Sequence, residues 1–230
     1  MTDNYVPSSA MVIVAHPDDA EFTVAGTVAA WARAGCRMTY VLCTDGNVGT
    51  HEPDMTRERL AEIRRAEQRA ACAILGVQEV VFLGHDDGTL QPTLELRKEL
   101  VQAVRQRRPE AVITMDPTEL FIGDGYINHP DHRAAAQAAI DAIAPGAGVP
   151  LLWPEAGPAH QVQRVLIHGN RHPNLWVDIA DTLEIKIAAL RQHASQMSHG
   201  DPADMIRAWA AEEAGEHHLA HCESYRMITL

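Results

Sequence analysis

The chain has 230 residues and a formal charge of −12, enough length for one α/β domain with a substantial core. Its acidic residues are dispersed rather than massed in a tail, which argues against nucleic acid or an anionic membrane as partner and favours a small neutral or cationic ligand. The four cysteines, Cys36, Cys43, Cys72 and Cys222, show no CxxC spacing and read as reduced core thiols, which points to the cytoplasm.

Met1 to Ala10 is polar, without a basic flank or a long apolar stretch, and is read as neither a signal peptide nor a membrane span. Met11 to Val14 forms a short apolar run ended by Pro17. Helical periodicity then runs from Phe22 to Ala34, where Gly35 stops it. Arg37 to Cys43 is the next predicted strand, closed by Asp45 and Gly46, and an amphipathic stretch from Thr56 to Leu75 ends at Gly76. The cycle repeats with a strand over Glu79 to Leu83, a helix over Leu94 to Arg107, a strand over Ala111 to Met115 and a helix over His132 to Ala144. Four successive β-α units predict a parallel sheet covered by helices on both faces.

The last third is less regular. Val162 to Ile167 and Leu175 to Val177 read as strands, Thr182 to Gln196 and Ala203 to Ala214 as helices, and Ser224 to Ile228 as an edge strand. The Pro/Gly-rich stretch from Pro145 to Pro158 reads as a surface loop rather than a linker, because the C-terminal piece beyond it is too small and irregular to fold alone. Residues 1–230 are therefore expected to form a single domain, whose apolar helices are compatible with a homo-oligomer.

Ligands of open parallel sheets bind beyond the carboxyl ends of the strands. Thirteen histidines are present, and several lie beside Asp and Pro in clusters at those positions. After the first strand comes Ala15-His16-Pro17-Asp18-Asp19-Ala20-Glu21; consecutive Asp residues point in different directions, so one can ligate a cation with His16 while the other faces a bound water. After the fourth strand comes His129-Pro130-Asp131-His132, with Pro130 suited to a first helical position and two histidines able to share one face. Two imidazoles and one carboxylate from separate loops make an open three-ligand site, which leaves a catalytic zinc a position for water. Zinc lowers the pKa of such a water to about 7, and a neighbouring carboxylate can act as general base.

These two segments resemble the signatures of the LmbE-like or PIG-L deacetylases, A-H-P-D-D-(A/E)-E and H-P-D-H. Thr44 to Thr50, Arg64-x-x-Glu67, Asp87-Gly88 and His193-Ala194-Ser195-Gln196 are placed as in that family. The resemblance implies a Rossmann-like three-layer α/β/α fold with a mostly parallel sheet, and hydrolysis of an N-acetyl group from a small glucosamine-containing compound. It implies His16, Asp19 and His132 as ligands of Zn²⁺ or another divalent metal, Asp18 as base, His129 as the group that stabilises or protonates the tetrahedral intermediate, and Asp131 as the residue that orients His129; as a nearby carboxylate, Asp131 is also expected to favour the protonated imidazole. Arg64 and Asp87 would contact the sugar or its attached group. Taken as side chains alone, Arg64 can instead pair with Glu67, and Asp87 can be an ordinary turn residue.

Asn47 stands where many members carry Glu. Tyr126 either reaches the site or packs in its loop. The spacing of His217, His218, His221 and Cys222 fits no closed zinc pattern and reads as a solvated helix end, and Trp31, Trp153, Trp176 and Trp209 read as core or rim packing, with room for one of them to line a cleft. Two other functions compete with hydrolysis: an Fe(II) oxygenase using the same ligand types, and a nucleotide-binding module, which the absence of a G-x-G-x-x-G loop disfavours.

Overall fold

The computed structural model describes residues 5–198, 200–215 and 217–230; the first four positions of the segment Met1 to Ala10 lie outside the described residues. A seven-stranded sheet carries the fold. Its strands are β1 (Ser9–Val14), β2 (Arg37–Thr44), β3 (Glu79–His85), β4 (Ala111–Met115), β7 (Arg164–His168), β8 (Leu175–Asp178) and β9 (Cys222–Thr229), in the order β3-β2-β1-β4-β7-β9-β8. The first five are parallel; β9 runs antiparallel to both β7 and β8. A separate two-stranded hairpin, β5 (Phe121–Ile122) with β6 (Tyr126–Ile127), projects from the loop after β4.

Residue alternation along β1 sorts the core into two layers. Val12 and Val14 pack toward α1 (Asp19–Thr23), α2 (Ala25–Arg33) and α3 (Arg57–Leu75). Met11 and Ile13 face the other way, against α4 (Leu94–Arg107) and α5 (Pro130–Ile143). A smaller apolar cluster joins α6 (Leu183–Leu190) to α7 (Ala203–Ala214) through Ile187, Leu190, Ile206 and Ala210. All four cysteines are buried and unpaired. Among the described residues, no helix is long and apolar enough to cross a membrane.

Four predicted elements differ from the structure, each through tertiary hydrogen bonding. The helix expected over Phe22 to Ala34 breaks at Val24, and the backbone N–H groups of Gly26 and Thr27 freed at the new helix start donate to the Glu223 carboxylate at 2.9 and 2.8 Å. The helix expected to reach Gln196 ends at Leu190, because Ser195 is drawn away through its N–H and hydroxyl to Glu67 on α3, at 2.8 and 2.7 Å. The segment read as an edge strand is internal, since β9 inserts between β7 and β8. The stretch from Pro145 to Pro158 is only partly a surface loop: it wraps around buried Arg105, whose guanidinium donates to the carbonyls of Gly146, Ala147, Val149, Leu152, Trp153 and Gly157.

Strand order turns at β1, whose neighbours are β2 on one side and β4 on the other. A crevice opens at such a reversal because the connections leave toward opposite faces. The first histidine cluster leaves β1 and the second comes after β4, so topology alone brings them to this crevice.

Candidate active site

The turn after β1 is tightly held. Asp18 sits in the left-handed region at φ 97°, a conformation costly for a residue with a Cβ and maintained only where surroundings over-determine it. Two residues of α3 do so: the Asp18 N–H donates to Gln68 Oε1 at 3.1 Å, and Arg64 Nη2 donates to the Asp18 carboxylate at 3.1 Å. Arg64 also donates to the carbonyls of Pro17 and Gly46, and is itself buried. Its pairing with Glu67, open from the sequence, does not occur; Glu67 holds Ser195 instead. Gln68 continues inward to Glu21 at 2.9 Å, and Glu21 lies 3.3 Å from fully buried His193.

The residues expected as metal ligands come together. Asp19 spans two imidazoles: its Oδ2 is 3.5 Å from His16 Nδ1 and its Oδ1 is 3.0 Å from His132 Nε2. The opposite nitrogen of each ring is occupied. His16 Nε2 faces Asp87 Oδ1 at 2.9 Å and Asp131 Oδ2 at 3.3 Å, while His132 Nδ1 lies 3.1 Å from Asn128 Oδ1. Groups of three candidate ligand atoms within 4.8 Å of one another are His16, His129 and His132, and His16, Asp87 and Asp131, and they share His16. Histidine and carboxylate donors from two loops, with the rings fixed from behind, are the donor chemistry of a divalent-metal site.

Asp131 has a different partner from the one expected. Its carboxylate accepts from the backbone N–H groups of Gly88 at 2.7 Å and Leu90 at 3.1 Å and faces His16 rather than the His129 ring. His129 meets Asp131 only through the main chain, its Nδ1 accepting from the Asp131 N–H at 3.2 Å as the cap of α5. An accepting Nδ1 favours the tautomer with its proton on Nε2. Burial and the neighbouring His16 also lower the His129 pKa despite Asp131, which favours the neutral ring over the protonated one expected. Asp87 is no ordinary turn residue, being buried against His16.

Burial opposes protonation of His16, but the carboxylates of Asp19, Asp131 and Asp87 outweigh it and hold the imidazole well above its ordinary range. Burial likewise opposes ionisation of Asp19, yet His132 and His16 keep its carboxyl well below the usual range. Asp18 differs: burial pushes it up to about 6 despite the Arg64 guanidinium. A carboxylate in that range suits general-base work near neutral pH.

Sequence reasoning missed Asn128 and Gln68. Asn128 precedes the second cluster directly, and Gln68 lies one helical turn after Arg64, the spacing that puts both on one face of α3. Asn47, in place of Glu, bridges its neighbours by donating to Asp86 at 2.7 Å and accepting from the Asp87 N–H at 3.0 Å. Tyr126 stands on the hairpin at the mouth of the site and is about half exposed. His217 stacks on Trp176 with ring centroids 3.8 Å apart, which accounts for it by packing.

Residues 11–143 match the family model described as PIG-L: GlcNAc-PI de-N-acetylase. The chain belongs to the PIG-L family. A diacetylchitobiose deacetylase of Thermococcus kodakarensis is 35% identical over 86% of this chain and 72% of its own length. A probable N-acetyl-α-D-glucosaminyl L-malate deacetylase of Bacillus anthracis is 31% identical over 82% of this chain and 81% of its own. Among solved structures, the N,N'-diacetylchitobiose deacetylase of Pyrococcus horikoshii superposes with a TM-score of 0.89 at 28% identity, covering 97% of this chain and 84% of that one. This PIG-L chain is a hydrolase of the metal-dependent deacetylase kind, which decides against the oxygenase and the nucleotide-binding module. A 4-carboxy-2-hydroxymuconate hydratase of Pseudomonas putida shares the fold at 21% identity with a TM-score of 0.79, so the reaction must be argued from the site and not from the fold.

Proposed function

We propose that residues 1–230 act as a single unit that removes an N-acetyl group from a small amino-sugar-containing substrate, with Zn²⁺ held by His16, Asp19 and His132. One observation carries this reading: each imidazole has one nitrogen fixed by a neighbour, Asp131 and Asp87 for His16 and Asn128 for His132, and the other turned to the Asp19 carboxylate. Iron or cobalt suits the same donors. A divalent cation there supplies a Lewis acid that polarises the acyl oxygen and acidifies water.

The chain's own groups do the rest. Asp18, lifted by burial to about 6, takes the proton of the attacking water and returns it to the leaving amine. His129, neutral and protonated at Nε2, donates to the oxyanion that develops on the acyl carbon. Asp131 acts on His16 rather than His129, clamped by the Gly88 and Leu90 N–H groups. Arg64 and Asp87, expected to touch the sugar, enter as holding groups, since the Arg64 Nη donors face Asp18 and two carbonyls and Asp87 faces His16. The buried reduced thiols fit a cytoplasmic protein.

The test is a screen of N-acetylglucosamine, its disaccharide and its conjugates for acetate release by the zinc-loaded chain. Release from at least one, abolished by a chelator and restored by zinc, is the expected result. A fully metallated protein that frees acetate from none of them contradicts the reading.

A further inference from the structure

An apolar cavity of about 660 Å³ opens beside Asp19 and His132 on the side of β4, β7 and β9. Its walls include Phe22, Met115, Ile206, Trp209, Ala210 and Tyr225. Most of the buried polar groups along its wall are matched within the protein; the buried His168 Nε2 is the exception. Lys186 Nζ lies 2.7 Å from Glu223 and 2.8 Å from the Thr23 carbonyl, Glu223 also accepts from Gly26, Thr27 and Tyr225, and Asp116 accepts from Thr118 and Asn170. A sugar placed against this mostly apolar wall would leave most of its hydroxyls without protein partners, which disfavours it relative to an alkyl chain.

The other side of the site is polar: Asp18, Arg64, Asn47, Asp86 and Asp87 lie toward β2 and β3. A scissile amide has a sugar on its nitrogen and an alkyl group on its carbonyl carbon, so the two sides match the two halves of an N-acylated amino sugar. An acetyl methyl fills little of a volume in the range that holds drug-sized ligands. We infer that this cavity is an acyl-side subsite and that the chain hydrolyses N-acyl amino sugars with linear chains of about four to eight carbons in preference to the N-acetyl form. Water adds to the acyl carbon, the C–N bond breaks, and a fatty acid and a free amino sugar leave.

This rests on the deacylase reading above and deepens it. The test compares amine release by the zinc-loaded chain from N-acetyl-, N-butyryl-, N-hexanoyl- and N-octanoyl-glucosamine, with octyl 2-acetamido-2-deoxyglucoside as the arm that puts the alkyl group on the sugar. Octanoate and acetate are titrated alongside against the tryptophan emission, because Trp209 lines the cavity. The expected result is at least a roughly 10-fold higher kcat/KM for N-hexanoyl than for N-acetyl, since even one methylene in an apolar pocket is worth that much. Ala210→Phe, which fills the cavity, should lower that ratio at least 10-fold and weaken octanoate quenching; if it does not fold, Ile206→Phe serves from the preceding turn of α7. Release from the N-acetyl form alone, with no quenching by octanoate, overturns the inference and leaves the deacetylase reading standing. A gain only for the octyl glycoside overturns it in favour of a sugar-side subsite. No release from any of these sugars overturns both readings.

Discussion

The two sides of the crevice are built in different ways. The side toward β2 and β3 is polar and comes from short stretches of chain: residues 16–21, 44–50, the Arg64–Gln68 turn of α3 and Asp87. The opposite side is mostly apolar and draws its residues from α1, β4, α7 and β9, elements far apart in sequence. A side made of contiguous motifs holds charges at fixed distances, as a reaction requires. One made of scattered apolar residues shapes volume, and can change without disturbing the chemistry.

The largest effect expected on the polar side comes from its base. Asp18→Asn keeps the ligand set and should retain metal while losing at least ~10²-fold in turnover, the lower range for general-base catalysis. A variant with the parent rate would assign the base elsewhere.

Arg64→Met sharpens the comparison next, because the guanidinium faces Asp18 and two carbonyls. Removing one member of a buried ion pair costs about 3 kcal/mol or more of stability. Turnover should fall, mainly in kcat and with little change in KM, because the misheld group is Asp18. A rise in KM with kcat intact would instead make Arg64 a sugar contact.

The smallest effect belongs to the apolar side. His168, at the end of β7, has its Nε2 shut from solvent without a partner, and burial lowers its pKa to about 4 from 6.5. Between those values the unfolded chain binds a proton that the folded chain refuses. Folding stability is therefore complete above pH 6.5 and is lost as pH falls toward 4. His168→Phe should narrow the gap between thermal midpoints measured at pH 7 and pH 5. An unchanged gap would place the titration on another group.

The contrast between the two sides also explains how much was legible in the sequence. Continuous apolar runs locate the central parallel strands, which are buried on both faces, and period-3.6 patterns locate the helices, each of which buries one face locally. Both histidine clusters are readable because their residues are adjacent in sequence and come after strands that topology makes neighbours. The illegible features depend on distant partners. Glu223 caps α2 from nearly two hundred residues away, Glu67 shortens α6, and Arg105 orders the loop from Pro145 to Pro158 through six carbonyls. Proximity in sequence pairs Asp131 with His129, but the turn of α5 aims its carboxylate at Gly88, Leu90 and His16.

Central to the proposed chemistry is a division of labour within the second cluster, where His132 holds the metal and His129, three residues earlier, faces the reacting carbonyl. Zinc content and turnover measured together on His132→Ala and His129→Ala test it most directly. His132→Ala should lose metal. His129→Ala should keep about one zinc per chain and lose roughly 10² to 10³ in turnover, the cost of one oxyanion donor. A His129→Ala protein that purifies without metal, beside a His132→Ala protein that retains it, would contradict the assignment.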